Sequence, residues 1–210
     1  DVVFVLGAGA SMHLKYPSGP ELVRELLTFY FDKSFLWKDC SEVALDITQA
    51  SIEEFHFALR HTHVATLDEL LEKRADGTLL RLARLSIALL FANLEDRDAL
   101  FPMDSQTSQN KNWYAQLARL LGRNASTIDE FGRGYKIITF NYDRSLDEYL
   151  YHSLKATYGA TDEQIRIAVE RLGVWHGFGM LGRLPWQVDA GEVSFDYSTT
   201  RADVKGDVNK

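Results

Sequence analysis

The alternation of apolar and polar positions changes period along the chain, and each change predicts an element. Val2 to Leu6 is an unbroken apolar run of the length of a buried parallel strand, closed by Gly7. Beyond the turn Gly7-Ala8-Gly9-Ala10-Ser11 the period becomes helical. Ser18 stands as a cap with Glu21 three residues on, Pro20 lies inside the first turn, and Leu22, Leu26 and Leu27 supply a stripe. From about 41 to 123 the pattern stays mostly helical. Ile52, Phe55 and Leu59 share one face over Ser51 to Leu59, and Thr66 with Glu69 opens another helix. Leu79, Leu82, Leu85, Leu89 and Leu90 mark the strongest helix, Leu79 to Leu94. The polar stretch 104–111 predicts an exposed loop, and Trp113 to Leu121 a further helix.

Strand character returns at Tyr135 to Phe140, followed by Asn141-Tyr142-Asp143 and a helix over Leu146 to Leu154. Thr161, with Gln164 in the box position, caps a helix ending near Leu172. Val174 to His176 reads as the end of a third strand. A glycine-rich segment, Gly177 to Pro185, precedes a short predicted strand at Val193 to Tyr197, and the tail from Ser198 is polar. This order predicts an open α/β sheet with ligand loops at the carboxyl ends of its strands. A mostly helical domain with few strands is the competing architecture.

Composition narrows the function classes. The 210 residues carry a formal net charge of -7, with 46% hydrophobic and 25% charged residues, as in an ordinary globular domain. No basic block or basic-aromatic interleaving is present, which argues against direct nucleic-acid binding. No apolar run reaches the length of a membrane span; Ile87 to Ala92 is the longest apolar patch. The single cysteine, Cys40, excludes an intrachain disulfide and a multi-cysteine zinc site, and suits a reducing, cytoplasmic compartment. His56, His61 and His63 lie close enough in sequence for a zinc set but fit helix faces or a loop more simply; no metal is expected. The chain opens directly on a strand without an initiator methionine, the expectation for a piece of a longer protein in which 198–210 lead into a further part.

Gly7 and Gly9 have the spacing at which a turn lets a diphosphate approach the main chain, with amides and a helix start facing the anion. Met12 occupies the third glycine position of the common dinucleotide fingerprint, and no lysine completes a nucleoside-triphosphatase loop. Ser11 adds a hydroxyl for phosphate or ribose. A structural turn with no ligand is the other reading. Asn141 and Asp143 fall where open α/β sheets bind ligands, the asparagine suited to a ribose hydroxyl or a water; helix capping explains them equally. His176, at a strand end, is a candidate base near neutral pH or an ordinary structural residue.

Taken in order, Phe4 to Ser11, Tyr16-Pro17-Ser18-Gly19, Thr66-Leu67-Asp68, Thr139-Phe140-Asn141-Tyr142-Asp143 and His176 to Pro185 resemble the SIR2-like family. The likeness is to its prokaryotic domains more than to the zinc-containing deacetylases, whose four metal-binding cysteines this chain lacks. The resemblance implies a Rossmann-like NAD-binding core, residues 1–197, with a mostly helical insertion at about 41–123. It implies nucleotide contacts from Gly7, Ala8, Gly9, Ala10, Ser11 and Ser18, with Asn141 facing the nicotinamide ribose, Asp143 supporting that loop, and His176 acting on the ribose. The histidine matches in two registers. Either His176-Gly177 is the family's His-Gly pair, or the longer backbone pattern aligns and Phe178 takes the catalytic histidine's place. Many relatives hydrolyse NAD as antiphage effectors attached to a sensing or oligomerising domain, and that activity, cleavage of the nicotinamide–ribose bond, is the expectation here. The alternative is a module that binds NAD or an ADP-ribose derivative without cleaving it.

Overall fold

A computed structural model of the chain describes residues 2–31, 47–74, 76–102 and 112–198. The predicted loop at 104–111, and the tail beyond Ser198, lie outside the described residues. The chain forms two compact units, one of residues up to Tyr16 together with Glu95–Ser198, the other with its described residues in Pro17–Leu94.

The second unit is helical: α1 (Gly19–Phe31), α2 (Gln49–His61), α3 (Leu67–Lys73) and α4 (Gly77–Leu94). Thr48 and Ser51 form a full capping box on α2, and the Thr66 hydroxyl accepts the Glu69 amide at the start of α3. The α4 helix is, by length and a mean hydropathy of 1.4, apolar enough to cross a membrane. Its stripe Leu79, Leu82, Ala83, Ile87 and Leu90 is buried within the protein, with Arg81 and Arg84 exposed, the pattern of a core helix.

The first unit is a mixed α/β fold, an open three-stranded parallel sheet with flanking helices in a Rossmann-like arrangement. Strands β1 (Val2–Leu6), β2 (Tyr135–Thr139) and β3 (Val174–His176) lie side by side in that order. Val2 to Leu6 sit opposite Tyr135 to Thr139, and Ile137 to Thr139 opposite Val174 to His176. The unit's helices are α5 (Arg97–Leu100), α6 (Trp113–Leu121), α7 (Ser145–Tyr158) and α8 (Asp162–Leu172). The last two carry the chain from β2 across to β3, as parallel neighbours require. Gly159 and Gly173 end them in left-handed backbone, φ 60° and 63°, and Thr161 with Gln164 forms the predicted capping box on α8. Ile137, Leu150, Ile165 and Leu172 are fully buried between sheet and helices, each contributing on the order of 2 kcal/mol.

Two expectations change. The apolar run of β1 predicts a buried strand, yet only Leu6 is buried. The strand lies at the sheet edge, and Val3, Val5 and Trp175 stay exposed on one face. Val193 to Tyr197 is not a strand, because its main chain is engaged elsewhere. The Phe195 amide reaches the Arg183 carbonyl at 2.9 Å, while the Phe195 and Asp196 carbonyls accept from the Arg144 guanidinium at 2.7 and 3.1 Å.

That guanidinium is the largest fully buried side chain. It grips Glu95 in a two-point pair, Nε to Oε1 at 2.8 Å and Nη2 to Oε2 at 2.6 Å, with side-chain exposures of 1% and 0%. Removing either partner strands a charge away from water. Glu95→Gln and Arg144→Met are each expected to lower the unfolding free energy by about 3–5 kcal/mol in urea denaturation; a loss of well under ~1 kcal/mol would show that the pair does not hold the unit together.

Candidate functional site

The site is built at the carboxyl ends of β1 and β2. After β1, Gly7 stays extended (φ -113°, ψ -172°) and the chain tightens into two successive 3-10 turns, Ala8–Ala10 and Met12–Leu14. The Ala10 and Ser11 amides close onto the Gly7 and Ala8 carbonyls at 2.8 and 3.0 Å. The amides of Ala8 and Gly9, which open the first turn, have no partner within it. The sequence suggests that a helix start backs this loop, but two short 3-10 turns stand there instead. The Trp113 indole N–H donates to the Ala10 carbonyl and pins the turn to α6.

Gly7 and Gly9 differ from the chain's other constrained glycines. A Cβ on Gly177 would meet the Phe140 ring at 2.9 Å, and Gly182, at φ 91°, would meet Phe195 at 2.8 Å. At Gly7 and Gly9 neither restriction applies: neither φ is in the left-handed region, and a Cβ would meet nothing within 4 Å.

Ser11 and Asn141, 130 residues apart, are brought together. The Asn141 Nδ2 donates to Ser11 Oγ at 2.9 Å, and Ser11 Oγ shares a hydrogen bond with Tyr114 OH at 3.1 Å. Ser11 is 1% exposed, so its hydroxyl orients the asparagine rather than meeting solvent. Asn141 itself is half-buried, its amide held by Thr139 Oγ1 at 3.1 Å. Asp143 is buried. Its Oδ1 accepts the Ser145 amide at 3.1 Å, a helix-start contact, and its Oδ2 is buried with no hydrogen-bond partner among the described residues. Burial pushes its carboxyl up, against the pull of the Ser11 and Ser145 hydroxyls and of His176. Ser18 belongs to the second unit, where its hydroxyl and amide both donate to Glu21 Oε2, at 2.7 and 2.8 Å.

His176 ends β3 with both ring nitrogens engaged. Nδ1 lies 3.0 Å from the Asn141 carbonyl and Nε2 3.0 Å from Asp147 Oδ2, whose other oxygen accepts from Gln187 Nε2 at 3.0 Å. A carbonyl and a carboxylate both accept, so this pair of partners favours hydrogen on both ring nitrogens. Burial alone would lower its pKa; the Asp147 carboxylate, with the Asn141 carbonyl and Asp143 behind it, outweighs burial and leaves it above the ordinary value. Phe178, exposed, stacks beside Phe140 and Tyr142 at 5.3 and 6.3 Å, an aromatic wall flanking Asn141 in the chain.

Sequence reasoning does not find Asp147, Arg144 or Tyr114, because their burial and partners come from distant parts of the chain. One signal was present: four charged residues, Asp143, Arg144, Asp147 and Glu148, crowd the start of a helix directly after a strand's carboxyl end. Among the described residues no three His, Cys, Asp or Glu side chains gather as a metal set. A cavity of about 580 Å³ lies elsewhere in this unit, between α6 and α7, lined by Asn112, Arg119, Phe131, Tyr149 and Tyr158.

The raised pKa of His176 gives a pH dependence with a definite sign. A raised folded pKa contributes stability that is whole below the unfolded value, about 6.5, and is lost as pH rises through the folded value. The stability gap between the wild type and His176→Gln is expected to be widest at about pH 6, on the order of 3 kcal/mol, and to shrink toward about pH 9 in guanidinium denaturation. A gap that stays flat over that range would contradict the charged state. None of the protein-family models, curated proteins or solved structures compared with this chain matches it.

Proposed function

We propose that the first unit holds NAD by its diphosphate at Gly7–Ser11 and cleaves the bond between nicotinamide and ribose. The observation that carries this reading is a pair of glycines at the carboxyl end of β1, where an alanine methyl at Gly7 or Gly9 would project into open space. Glycine at both positions leaves the main chain open to close approach, and a diphosphate facing the Ala8 and Gly9 amides fits that opening. The ordered motifs resembling the SIR2-like family supply the nucleotide's identity, and with it the proposed role as a NAD-consuming defence effector.

In this reading Asn141, aimed by Ser11, orients the nicotinamide ribose or the attacking water, and Asp143 steadies that loop from beneath. His176 holds the Asn141 carbonyl. Nicotinamide leaves from a cationic pyridinium and needs little acid assistance, so the protein's task is to anchor the diphosphate, stabilise an electron-poor ribose and admit one water. A second reading, binding of NAD or ADP-ribose without cleavage, is favoured by the fully engaged His176 ring and by Phe178 at the position where the longer register places a histidine.

Incubation of the chain with NAD is expected to release free nicotinamide. Gly9→Ala is expected to keep its stability within about 1 kcal/mol while its affinity for NAD falls at least about tenfold, ~1.4 kcal/mol. Calorimetry and chromatography of the products read both. Binding without release would leave the second reading; neither binding nor release would remove both.

A further inference from the structure

We propose that the cavity between α6 and α7 is a binding site for a two-ring aromatic carboxylate, with Arg119 as its counter-ion. The cavity is lined entirely by the first unit, and the inference stands apart from the NAD reading above. Its volume of about 580 Å³ falls within the range of small-molecule sites, roughly 300–1,000 Å³. It exceeds several-fold the ~150 Å³ that one benzene occupies. The space exists because α6 turns small residues toward it. Ala115, Ala118 and Gly122 recur at helical spacing, with Arg119 among them. From α7 come Tyr149, Ser153 and Thr157, one side chain per turn on a single face. Leu100, Phe131 and Leu154, all buried, complete the apolar lining.

The lining pairs aromatic surface with one cation. Phe101 and Tyr149 stack with centroids 5.3 Å apart and planes 11° apart, and Tyr158 stands edge-on to Phe131 at 6.4 Å. These rings suit a flat apolar body. Arg119 is the only charged side chain on the wall among the described residues, and among them it makes no hydrogen bond or ion pair. It acts instead on the Tyr149 phenol, drawing its pKa down against the burial that raises it. The Tyr149, Ser153 and Thr157 hydroxyls likewise have no hydrogen-bond partner among the described residues. An unpaired guanidinium fork matches a carboxylate at two points, and adjacent hydroxyls donate to the same oxygens. One positive charge, with no lysine or second arginine on the wall, suits a monoanion better than a phosphate dianion. Glu130 acts on the Tyr158 phenol but is not on the wall; its carboxylate accepts the Ser126 and Thr127 amides at 2.7 and 3.3 Å.

The test titrates 2-naphthoate into the whole chain by calorimetry, with the neutral 2-naphthamide, of nearly the same shape, as its comparison. 2-Naphthoate is expected to fill one site with a Kd on the order of 0.1 mM, about tenfold tighter than the amide. Arg119→Gln is expected to erase that tenfold preference and leave the amide's affinity unchanged. Ala118→Leu, which fills the space, is expected to weaken both, and thermal unfolding checks that each variant is folded. Excess NAD is expected to leave 2-naphthoate bound. No saturable binding of 2-naphthoate, equal affinity of acid and amide, a preference that survives Arg119→Gln, or binding untouched by Ala118→Leu would overturn the inference. Displacement by NAD would overturn it too, by making the cavity part of the nucleotide site. Nicotinamide release, or its absence, bears on the NAD reading alone.

Discussion

The buried pair between Arg144 and Glu95 is the constraint from which the first unit's functional end is arranged. Six successive residues, Asp143 to Glu148, are buried, and four of them are charged. A charge in that setting persists only with a partner in place, and Arg144, Asp147 and Glu148 each draw one from a distant part of the chain. Glu95 takes Arg144, His176 takes Asp147, and Arg97 together with His152 takes Glu148. The Ser145 hydroxyl joins the phenols of Tyr16 and Tyr197 at 3.2 and 2.9 Å. Asn141 and Asp143 sit at the head of this segment, so the placement of the asparagine follows from charge neutralisation beneath it.

His176 and His13 show how partners and burial together set the charge of an imidazole. His176 faces a carbonyl and a carboxylate, which shift it toward its charged form and tie it to the asparagine loop. His13 lies edge-on to the Tyr114 ring, and burial moves its pKa down from the ordinary value. The two rings are shifted in opposite directions by their surroundings.

The regular framework was legible because its signals are local. The apolar runs of β1 and β2, the Thr161–Gln164 box and the leucine spacing of α4 each specify an element within a few residues. The meeting of Ser11 with Asn141 was legible only through the fold, since the ends of adjacent parallel strands must lie side by side. Asp147 and Arg144 were not, because a charged residue on a helix is ordinarily solvated, and only long-range partners make burial tolerable. Val193 to Tyr197 misled for the converse reason. Its apolar-polar alternation suits a strand, but a guanidinium claimed the carbonyls that a neighbouring strand would have used. The glycines of the first turn were read correctly as a turn, whereas the emptiness beside them is a property of three-dimensional space.

Because Arg144 receives two of its acceptors from the Phe195 and Asp196 carbonyls, the far end of the described chain acts as a clasp on the asparagine loop. A proteolytic nick or an early stop codon ahead of Phe195 would spare every residue of the glycine turn. It would nonetheless leave a guanidinium half-satisfied in the interior, and the damage would surface some fifty residues upstream, where no covalent change had been made.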